Sequence, residues 1–151
     1  MNRRALLLLL LLLAGVAAVY QRLGGDGRED RPEILSEVTR VIDGDTFDLA
    51  EGSRIRLQGI SAPERDEPGG NEATRAMKAH ISGNLVRCED SGERSHGRVV
   101  ARCFLGAEDI GGWLVSKGLA RDCPRHSGGF YRARETAESR TLPLPPYCEK
   151  R

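Results

Sequence analysis

The alternation of short apolar segments with turn dipeptides constrains the fold of this chain more than any other feature. From Ile34 onward, stretches of six to eight residues rich in Val, Ile and Leu are separated by Asp-Gly, Glu-Gly and Ser-Gly dipeptides. Short segments of this composition bounded by such turn residues are typical of β-strands joined by hairpins. The pattern therefore predicts a small domain made mainly of β-structure.

The strand pattern recurs five times, and three segments with helical character lie between or after the strands. Tight turns are expected at Asp43-Gly44 and Glu51-Gly52, whose glycines can adopt positive φ. Five strands with about three packed helices predict an α+β, mainly β fold, namely a five-stranded OB-fold Greek-key barrel. The predicted strands are residues 37–42, 46–51, 53–60, 85–90 and 98–105, and the predicted helices are residues 71–82, 108–118 and 130–140.

Size and charge limit the function classes. At 151 residues and 39% apolar composition, the chain fits one domain with a substantial core. Its net charge is only +1, from 23 Lys and Arg against 22 Asp and Glu. A globally basic nucleic-acid binder is therefore excluded, and any polyanion must be bound by a local basic surface.

The N-terminus has the pattern of an export signal. Arg3 and Arg4 precede an apolar run from Ala5 to Val19 that contains eight consecutive Leu residues. A basic start, an apolar core and small residues after it are typical of a secretory signal peptide. The run is long for a signal core and short for a membrane span, so an uncleaved anchor remains the alternative.

The segment that follows the leader is Gly-rich and charged, without apolar periodicity, over residues 21–31. Such a composition is typical of a linker. We therefore expect a signal peptide or membrane anchor at residues 1–20, a linker at 21–33 and a folded domain at 34–148. If the leader is cleaved, the exported domain is periplasmic or extracellular. If it is not cleaved, residues 5–20 anchor the domain to the membrane.

The four cysteines all follow the leader, and an even number in an exported domain predicts two disulfides. Three pairings are possible on paper. Cys88 and Cys103 flank a turn and are expected on neighbouring strands of one hairpin, while Cys123 is the natural partner to hold the Pro-rich tail that carries Cys148. We favour Cys88–Cys103 and Cys123–Cys148 over a zinc site, because no pair has the C-x-x-C spacing.

Four charged residues have the chemistry needed to hydrolyse a phosphodiester. That reaction needs a carboxylate to take a proton from water and fixed cations where charge accumulates on the phosphoryl oxygens. Arg56 and Arg98 can supply the cations, Glu64 the base and Asp45 a further carboxylate. Glu64 follows Pro63, whose ring restricts the backbone and suits a rigidly placed base. Taken singly, each residue is equally consistent with an ordinary turn, strand face or surface charge.

The segments VIDGDT, IRLQGISAPE and HGRVVA, in this order and spacing, resemble the staphylococcal nuclease (thermonuclease) family. The similarity covers roughly residues 37–119 and continues more weakly through the last helix. The resemblance implies an OB-type barrel with three helices that cleaves DNA and RNA with Ca²⁺. By motif position, it implies that Glu64 is the general base, that Arg56 and Arg98 stabilise the pentacoordinate phosphorus, and that Asp45 is a calcium ligand.

The chain departs from the family pattern at a metal ligand. Where the family usually has Asp, this chain has Ser61 in the segment GISAPE. The Ser61 hydroxyl and the backbone carbonyl of Ala62 remain as oxygen donors, and Glu64 would act through a water molecule. Calcium affinity falls as carboxylates are lost, so we expect weaker calcium dependence or a need for more metal.

A second departure concerns the groups that grip the substrate. The family's type member has tyrosines near the nucleotide, whereas this chain has His96 before the Gly-Arg pair and His126 in the segment ARDCPRHSGGFY. Histidine can stack on a base or bind a phosphate. Together with Arg121 and Arg125, these histidines are the predicted substrate-binding residues, and DNA and RNA remain equal possibilities.

The sequence thus predicts an exported, metal-dependent nuclease. Two alternatives remain. One is an oligonucleotide-binding barrel without catalysis, in which Ser61 marks the decay of the metal site. The other is an envelope-anchored interaction domain, which has no sequence feature of its own. No protein partner is implied.

Overall fold

The computed structural model describes residues 32–149. The predicted leader at residues 1–20 and most of the predicted linker lie outside these residues. The first strand begins at Glu33, inside the range predicted for the linker. No helix within residues 32–149 is both long and apolar enough to cross a membrane.

The described residues form one closed β-barrel. The strands are β1 Glu33–Val41, β2 Thr46–Leu49, β3 Arg54–Leu57, β4 Ile60–Ser61, β5 Leu85–Ser95, β6 Arg98–Leu105, β7 Glu108–Asp109 and β8 Arg121–Asp122. The main sheet has the order β3-β2-β1-β5-β6-β7, and parallel pairing of β3 with β6 closes it into five barrel strands. β4 pairs with β8 in a separate two-stranded sheet. This confirms the predicted five-stranded, mainly β fold.

Helices cover the barrel at several points along the chain. The helices are α1 Gly70–Ile81, α2 Ile110–Ser116, α3 Pro124–Ser127 and α4 Ala137–Thr141, with 3-10 turns at Arg132–Arg134 and Pro146–Cys148. The first two predicted helices are thereby confirmed, although β7 takes the residues predicted as the start of the second.

The third predicted helix, over residues 130–140, is wrong as a continuous element. Glu135 and Thr136 have extended backbone and separate the 3-10 turn from α4. The Thr136 hydroxyl accepts a hydrogen bond from the backbone N–H of Ser139, while the Ser139 hydroxyl accepts one from the N–H of Thr136. This reciprocal capping starts a new helix and prevents the earlier turn from continuing.

The barrel interior is filled by alternate residues of the strands and by one face of α1. The apolar spacing predicts Ala73, Ala76, Met77 and Ile81 on one side of that helix. Ala73, Met77 and Ile81 are fully buried, whereas Ala76 is half-buried. Burial of each large aliphatic side chain contributes about 1.5–3 kcal/mol. The largest buried strand residues are Val38, Phe47, Ile55, Leu57, Ile60 and Val86.

Two disulfides fasten the domain, and both predicted pairings are present. Cys88 and Cys103 are directly opposed across the β5–β6 ladder. Cys123 and Cys148 join the start of α3 to the C-terminal segment. No free cysteine remains within the described part of the chain.

Of the two predicted turn glycines, Gly52 has the expected positive φ of 104°, but Gly44 does not adopt a positive φ.

Gly44 and Gly70 allow the segments around Glu64 to approach closely. Gly44 is required for another reason, because a Cβ there would lie 2.6 Å from the Cβ of Ala62. A Cβ on Gly70, the first residue of α1, would overlap the backbone carbonyl of Glu64. The absence of a side chain at both glycines therefore lets the Glu64 segment pack against its neighbours.

Substitution of Gly70 tests this close approach. We expect Gly70→Ala to lower the free energy of unfolding by about 2–3 kcal/mol, since the new methyl group meets backbone rather than a movable side chain. Gly92→Ala is the matched control, because Gly92 has φ of 81° but nothing within 4 Å of the added Cβ; it should cost only about 1 kcal/mol. Equal losses in chemical denaturation would contradict the packing argument.

Candidate active site

A cleft of about 570 Å³ opens beside β3 and the tip of the β5–β6 hairpin. Its volume lies within the range of ordinary ligand sites, about 300–1,000 Å³. Arg56, Glu64 and Arg98, the three residues predicted to carry catalysis, all line it. The fold thus brings three separate segments of the chain to one surface.

Asp45 and Arg56 form a buried ion pair beside the cleft. Thr46 at the start of β2 pairs with Arg56 on β3, which brings the residue before Thr46 next to the arginine. Nη2 of Arg56 lies 3.0 Å from Oδ2 of Asp45. The guanidinium also donates to the carbonyl oxygens of Leu57 at 2.7 Å and Ile60 at 3.0 Å. Two carbonyl acceptors and the Asp45 carboxylate therefore fix the orientation of the guanidinium.

Burial dominates the electrostatics of Asp45. It raises the pKa of the Asp45 carboxyl from 3.8 to about 6, although the positive charge of Arg56 acts in the opposite direction. The neighbouring Asp43 carboxylate raises the pKa further. Hydrogen bonds from the Ala62 N–H at 2.9 Å and the Thr46 hydroxyl at 3.2 Å favour the ionised form. Asp45 is thus a carboxylate whose negative charge is only partly compensated.

Thr46 connects this ion pair to Arg98. The buried Thr46 hydroxyl donates to Oδ1 of Asp45 and accepts a hydrogen bond from Nη1 of Arg98, each at 3.2 Å. Nε and Nη2 of Arg98 donate to the carbonyl and hydroxyl oxygens of Ser95. One continuous network therefore orients both arginines. The sequence reasoning assigned no role to Thr46, although its place directly after Asp45 was a usable signal.

The β5–β6 turn presents Arg98 and His96 to the cleft. His96 and Gly97 have φ of 50° and 77° and connect the paired residues Ser95 and Arg98. Positive φ at both central residues is typical of a type I′ hairpin, and histidine is among the residues that tolerate it. His96 is exposed and lines the cleft, as expected of a substrate-binding residue.

Glu64 lies on an exposed segment between β4 and α1. Its backbone N–H donates to a carboxylate oxygen of Glu67 at 2.8 Å, and its carbonyl accepts from the N–H of Glu67 at 2.9 Å. Pro63 before it is buried. Within residues 32–149, the Glu64 carboxylate has no hydrogen-bond or ion-pair partner, so its oxygens remain available to a ligand in the cleft.

The predicted metal ligands are oxygen donors, which suit a hard cation such as Ca²⁺. Asp45 contributes one carboxylate, and Asp43 lies beside it. A cation would balance the negative charge of this pair. Ser61 is buried on β4 and offers a hydroxyl, while Ala62 contacts Asp45 through its N–H rather than its carbonyl. No group of three or more Asp, Glu, His or Cys side chains converges anywhere in residues 32–149. The donors therefore fit a divalent cation in kind and predict weak binding.

The predicted substrate-binding residues separate into two groups. His96 and His126 line the cleft, whereas Arg121 and Arg125 do not. Arg121 is half-buried, with Nε 3.5 Å from a carboxylate oxygen of Glu135 and Nη1 donating to the carbonyl of Leu142. Its guanidinium is therefore used to hold the C-terminal segment. Arg125 is exposed outside the cleft.

Tyr147 is a cleft residue that the sequence reasoning missed. It lies in the 3-10 turn of the C-terminal segment, next to Cys148. The predicted Cys123–Cys148 disulfide was the signal that could have brought it to the site, since Cys123 also lines the cleft.

Comparison with known proteins identifies the family. The family model described as staphylococcal nuclease homologue matches residues 54–143, which include Arg56, Glu64 and Arg98. The chain belongs to this family.

Several curated relatives agree with this assignment. A thermonuclease from Staphylococcus hyicus is 34% identical over 106 residues, which cover 63% of this chain and 63% of the relative. An uncharacterized endonuclease from Escherichia coli is 32% identical over 92 residues, covering 58% and 60%. Protein ParB from Escherichia coli is 30% identical over 79 residues, covering 50% and 45%. The chain thus spans less than two thirds of the length of each of these relatives.

The raised pKa of Asp45 predicts how stability depends on pH. Between about pH 4 and pH 6 the folded protein holds the Asp45 proton more tightly than the unfolded chain does. The free energy of unfolding should therefore fall as pH rises through this range, by at most about 3 kcal/mol. Chemical denaturation in the presence of a chelator measures the free energy of unfolding at each pH. Asp45→Asn is the control, because without the carboxyl group this decrease should disappear. A wild-type curve parallel to that of Asp45→Asn would contradict the prediction.

Proposed function

We propose that this member of the staphylococcal nuclease family hydrolyses phosphodiester bonds of DNA or RNA. The observation that carries the proposal is the meeting of Arg56, Glu64 and Arg98 at one open cleft. A free carboxylate beside two oriented guanidinium groups is the combination that water activation and charge stabilisation require. The thermonuclease and endonuclease names of the relatives point to the same chemistry.

In the proposed mechanism, the substrate phosphate binds between the two arginines. A guanidinium has five N–H donors. Arg56 donates two of them to the carbonyls of Leu57 and Ile60 and forms an ion pair with Asp45, while Arg98 donates three to Ser95 and Thr46. At least two donors therefore remain on each arginine for phosphoryl oxygens, which permits two-point contacts with the charge that develops there.

Glu64 acts as the general base in this proposal. Its carboxylate accepts a proton from water, whose oxygen attacks phosphorus in line with the leaving oxygen. The new P–O bond forms as the bond to the leaving oxygen breaks, and the two arginines bind the equatorial oxygens of the transition state. The exposed position of Glu64 supports this role, because water reaches it freely.

The proposed nuclease uses a divalent cation, and Ca²⁺ is the expected ion. Asp45, Ser61 and the Ala62 carbonyl would hold it, with Glu64 reached through water. When bound, such a cation supplies additional positive charge for a phosphoryl oxygen. The oxygen-only donor set and the undercompensated charge of Asp45 support the site.

Ser61→Asp tests whether the missing carboxylate weakens cation binding. We expect the substitution to tighten Ca²⁺ binding by about tenfold or more, because each added carboxylate raises affinity. The readout is the rise in melting temperature as Ca²⁺ is titrated into chelator-treated protein, which is independent of catalysis. Ser61→Asn is the matched control, because asparagine has the shape of aspartate without its charge. An equal Ca²⁺ response in all three proteins would exclude a role for position 61 in metal binding.

Glu64→Gln tests the nuclease assignment. Loss of the general base should reduce cleavage of single-stranded DNA or RNA by a factor of about 10² or more. Binding of the oligonucleotide and the melting temperature should remain close to the wild-type values, since the carboxylate has no partner within the described residues. Glu37→Gln, on the exposed face of β1, removes the same charge far from the chemistry and should cleave normally.

The alternative is a barrel that binds oligonucleotides without cleaving them, and Ser61 is the residue that favours it. In that case wild-type protein would bind single strands in a salt-dependent manner but leave them intact at every Ca²⁺ concentration. Cleavage that survives in Glu64→Gln would instead assign the base to another residue.

Export is the proposed setting for this activity. Two disulfides in a domain of this size are typical of oxidising compartments outside the cytosol. Together with the basic and leucine-rich N-terminal sequence, they support the organisation expected above: residues 1–20 as signal or anchor, a linker, and the nuclease domain.

A further inference from the structure

The C-terminal segment forms part of the wall of the cleft. Tyr147, His126 and Cys123 line the same cleft as Arg56 and Arg98. Tyr147 is 49% exposed, and its hydroxyl has no hydrogen-bond partner within residues 32–149. Its ring lies beside that of His126, with 6.5 Å between centroids and planes tilted by 57°. The cleft therefore has an accessible aromatic surface next to its phosphate-binding groups.

Tyr147 is distinguished among the exposed apolar side chains by this position. The other large exposed apolar residues of the described chain are Leu35, Leu85 and Phe130, and none of them lines the cleft. An aromatic ring left half open beside two arginines is suited to a ligand that carries both a phosphate and a flat ring. A nucleotide within a nucleic-acid strand has this combination.

The Cys123–Cys148 disulfide holds this aromatic surface in place. Cys123 is the N-cap residue directly before α3, and its carbonyl accepts a hydrogen bond from the backbone N–H of His126. Cys148 is fully buried and follows Tyr147 directly in the 3-10 turn. The disulfide therefore joins the two short elements that carry the two rings.

Few other contacts fix the segment. Residues 142–149 contain no strand and no α-helix, and Arg121 donates to the carbonyl of Leu142 at its start. The short 3-10 turn has two backbone hydrogen bonds of its own, from the Cys148 N–H to the Pro145 carbonyl and from the Glu149 N–H to the Pro146 carbonyl. Within residues 32–149, no hydrogen bond joins this turn to α3, so the disulfide is the bond that fixes Tyr147 relative to His126.

We propose, on the basis of the function proposed above, that a base of single-stranded nucleic acid stacks on Tyr147, and that the Cys123–Cys148 disulfide makes this binding dependent on the oxidised protein. The ring needs the flat face of a base, which neighbouring bases cover in a duplex. The site therefore prefers unpaired strands. Reduction releases Tyr147 and weakens binding, so cleavage is confined to oxidising surroundings.

The test measures binding rather than cleavage. Full-length oxidised Glu64→Gln protein is titrated against a short fluorescent oligothymidylate, and anisotropy reports the Kd. Tyr147→Ala should weaken binding about 5- to 100-fold, the range typical of losing one base–aromatic stack, and Tyr147→Phe should retain it. Phe130→Ala, which removes an equally exposed ring outside the cleft, should bind normally. An abasic oligonucleotide of equal length should bind Tyr147→Ala and its parent alike.

The disulfide is tested in the same assay. The double variant Cys123→Ser with Cys148→Ser should lose as much affinity as Tyr147→Ala, and adding Tyr147→Ala to it should cause no further loss. The double variant Cys88→Ser with Cys103→Ser is the control for loss of a disulfide whose cysteines do not line the cleft, with folding checked by circular dichroism.

Three results would overturn the inference. One is unchanged affinity in Tyr147→Ala, and another is an equal loss with the abasic strand, which would mean that the ring acts on the backbone or the fold. The third is no binding by the parent protein. If wild-type protein cleaves single strands while Tyr147→Ala binds normally, the inference alone fails. If wild-type protein neither binds nor cleaves, the proposed function fails with it.

Discussion

The buried ion pair between Asp45 and Arg56 is the interaction on which the site depends. Burying a carboxylate is costly, and the pKa of Asp45 near 6 reports that its partners do not fully offset the cost. The pair nevertheless fixes one guanidinium at the cleft, and the Thr46 hydroxyl extends the same network to Arg98. The burial of Asp45 lowers the stability of the folded protein, but it arranges charges for a ligand at the cleft. Functional residues commonly reduce stability in this way.

The rest of the fold brings other groups to this network. Gly44 and Gly70 let the segment that carries Glu64 pack closely against the turn before β2 and the start of α1. The type I′ turn at His96-Gly97 places Arg98 at the end of a hairpin, and the Cys88–Cys103 bond joins the same two strands. Each device acts on the backbone: Arg56 and Arg98 extend from strands β3 and β6, and Glu64 extends from a connection whose backbone packs against the start of α1.

Much of the fold was predictable because its signals are local. Strand periodicity and the apolar face of α1 depend on neighbouring residues, and these predictions were confirmed. Of the two predicted turn glycines, Gly52 has a positive φ and Gly44 does not. The helix predicted at residues 130–140 was wrong, since capping at Thr136 outweighed the helical pattern. Contacts between distant segments were harder: Arg121 was predicted at the substrate and pairs with Glu135, while Tyr147 reaches the cleft only through a disulfide. Charge alone does not indicate which partner an arginine will find.

The most direct measurement of the central claim is single-turnover cleavage of single-stranded DNA by Thr46→Val and Thr46→Ser. Valine matches threonine in shape but lacks the hydroxyl that joins Asp45 to Arg98, whereas serine keeps the hydroxyl. If one network orients both arginines, Thr46→Val should cleave about 10- to 100-fold more slowly while still folded at the assay temperature, and Thr46→Ser should remain close to wild type. Equal rates for Thr46→Val and wild type would contradict the account.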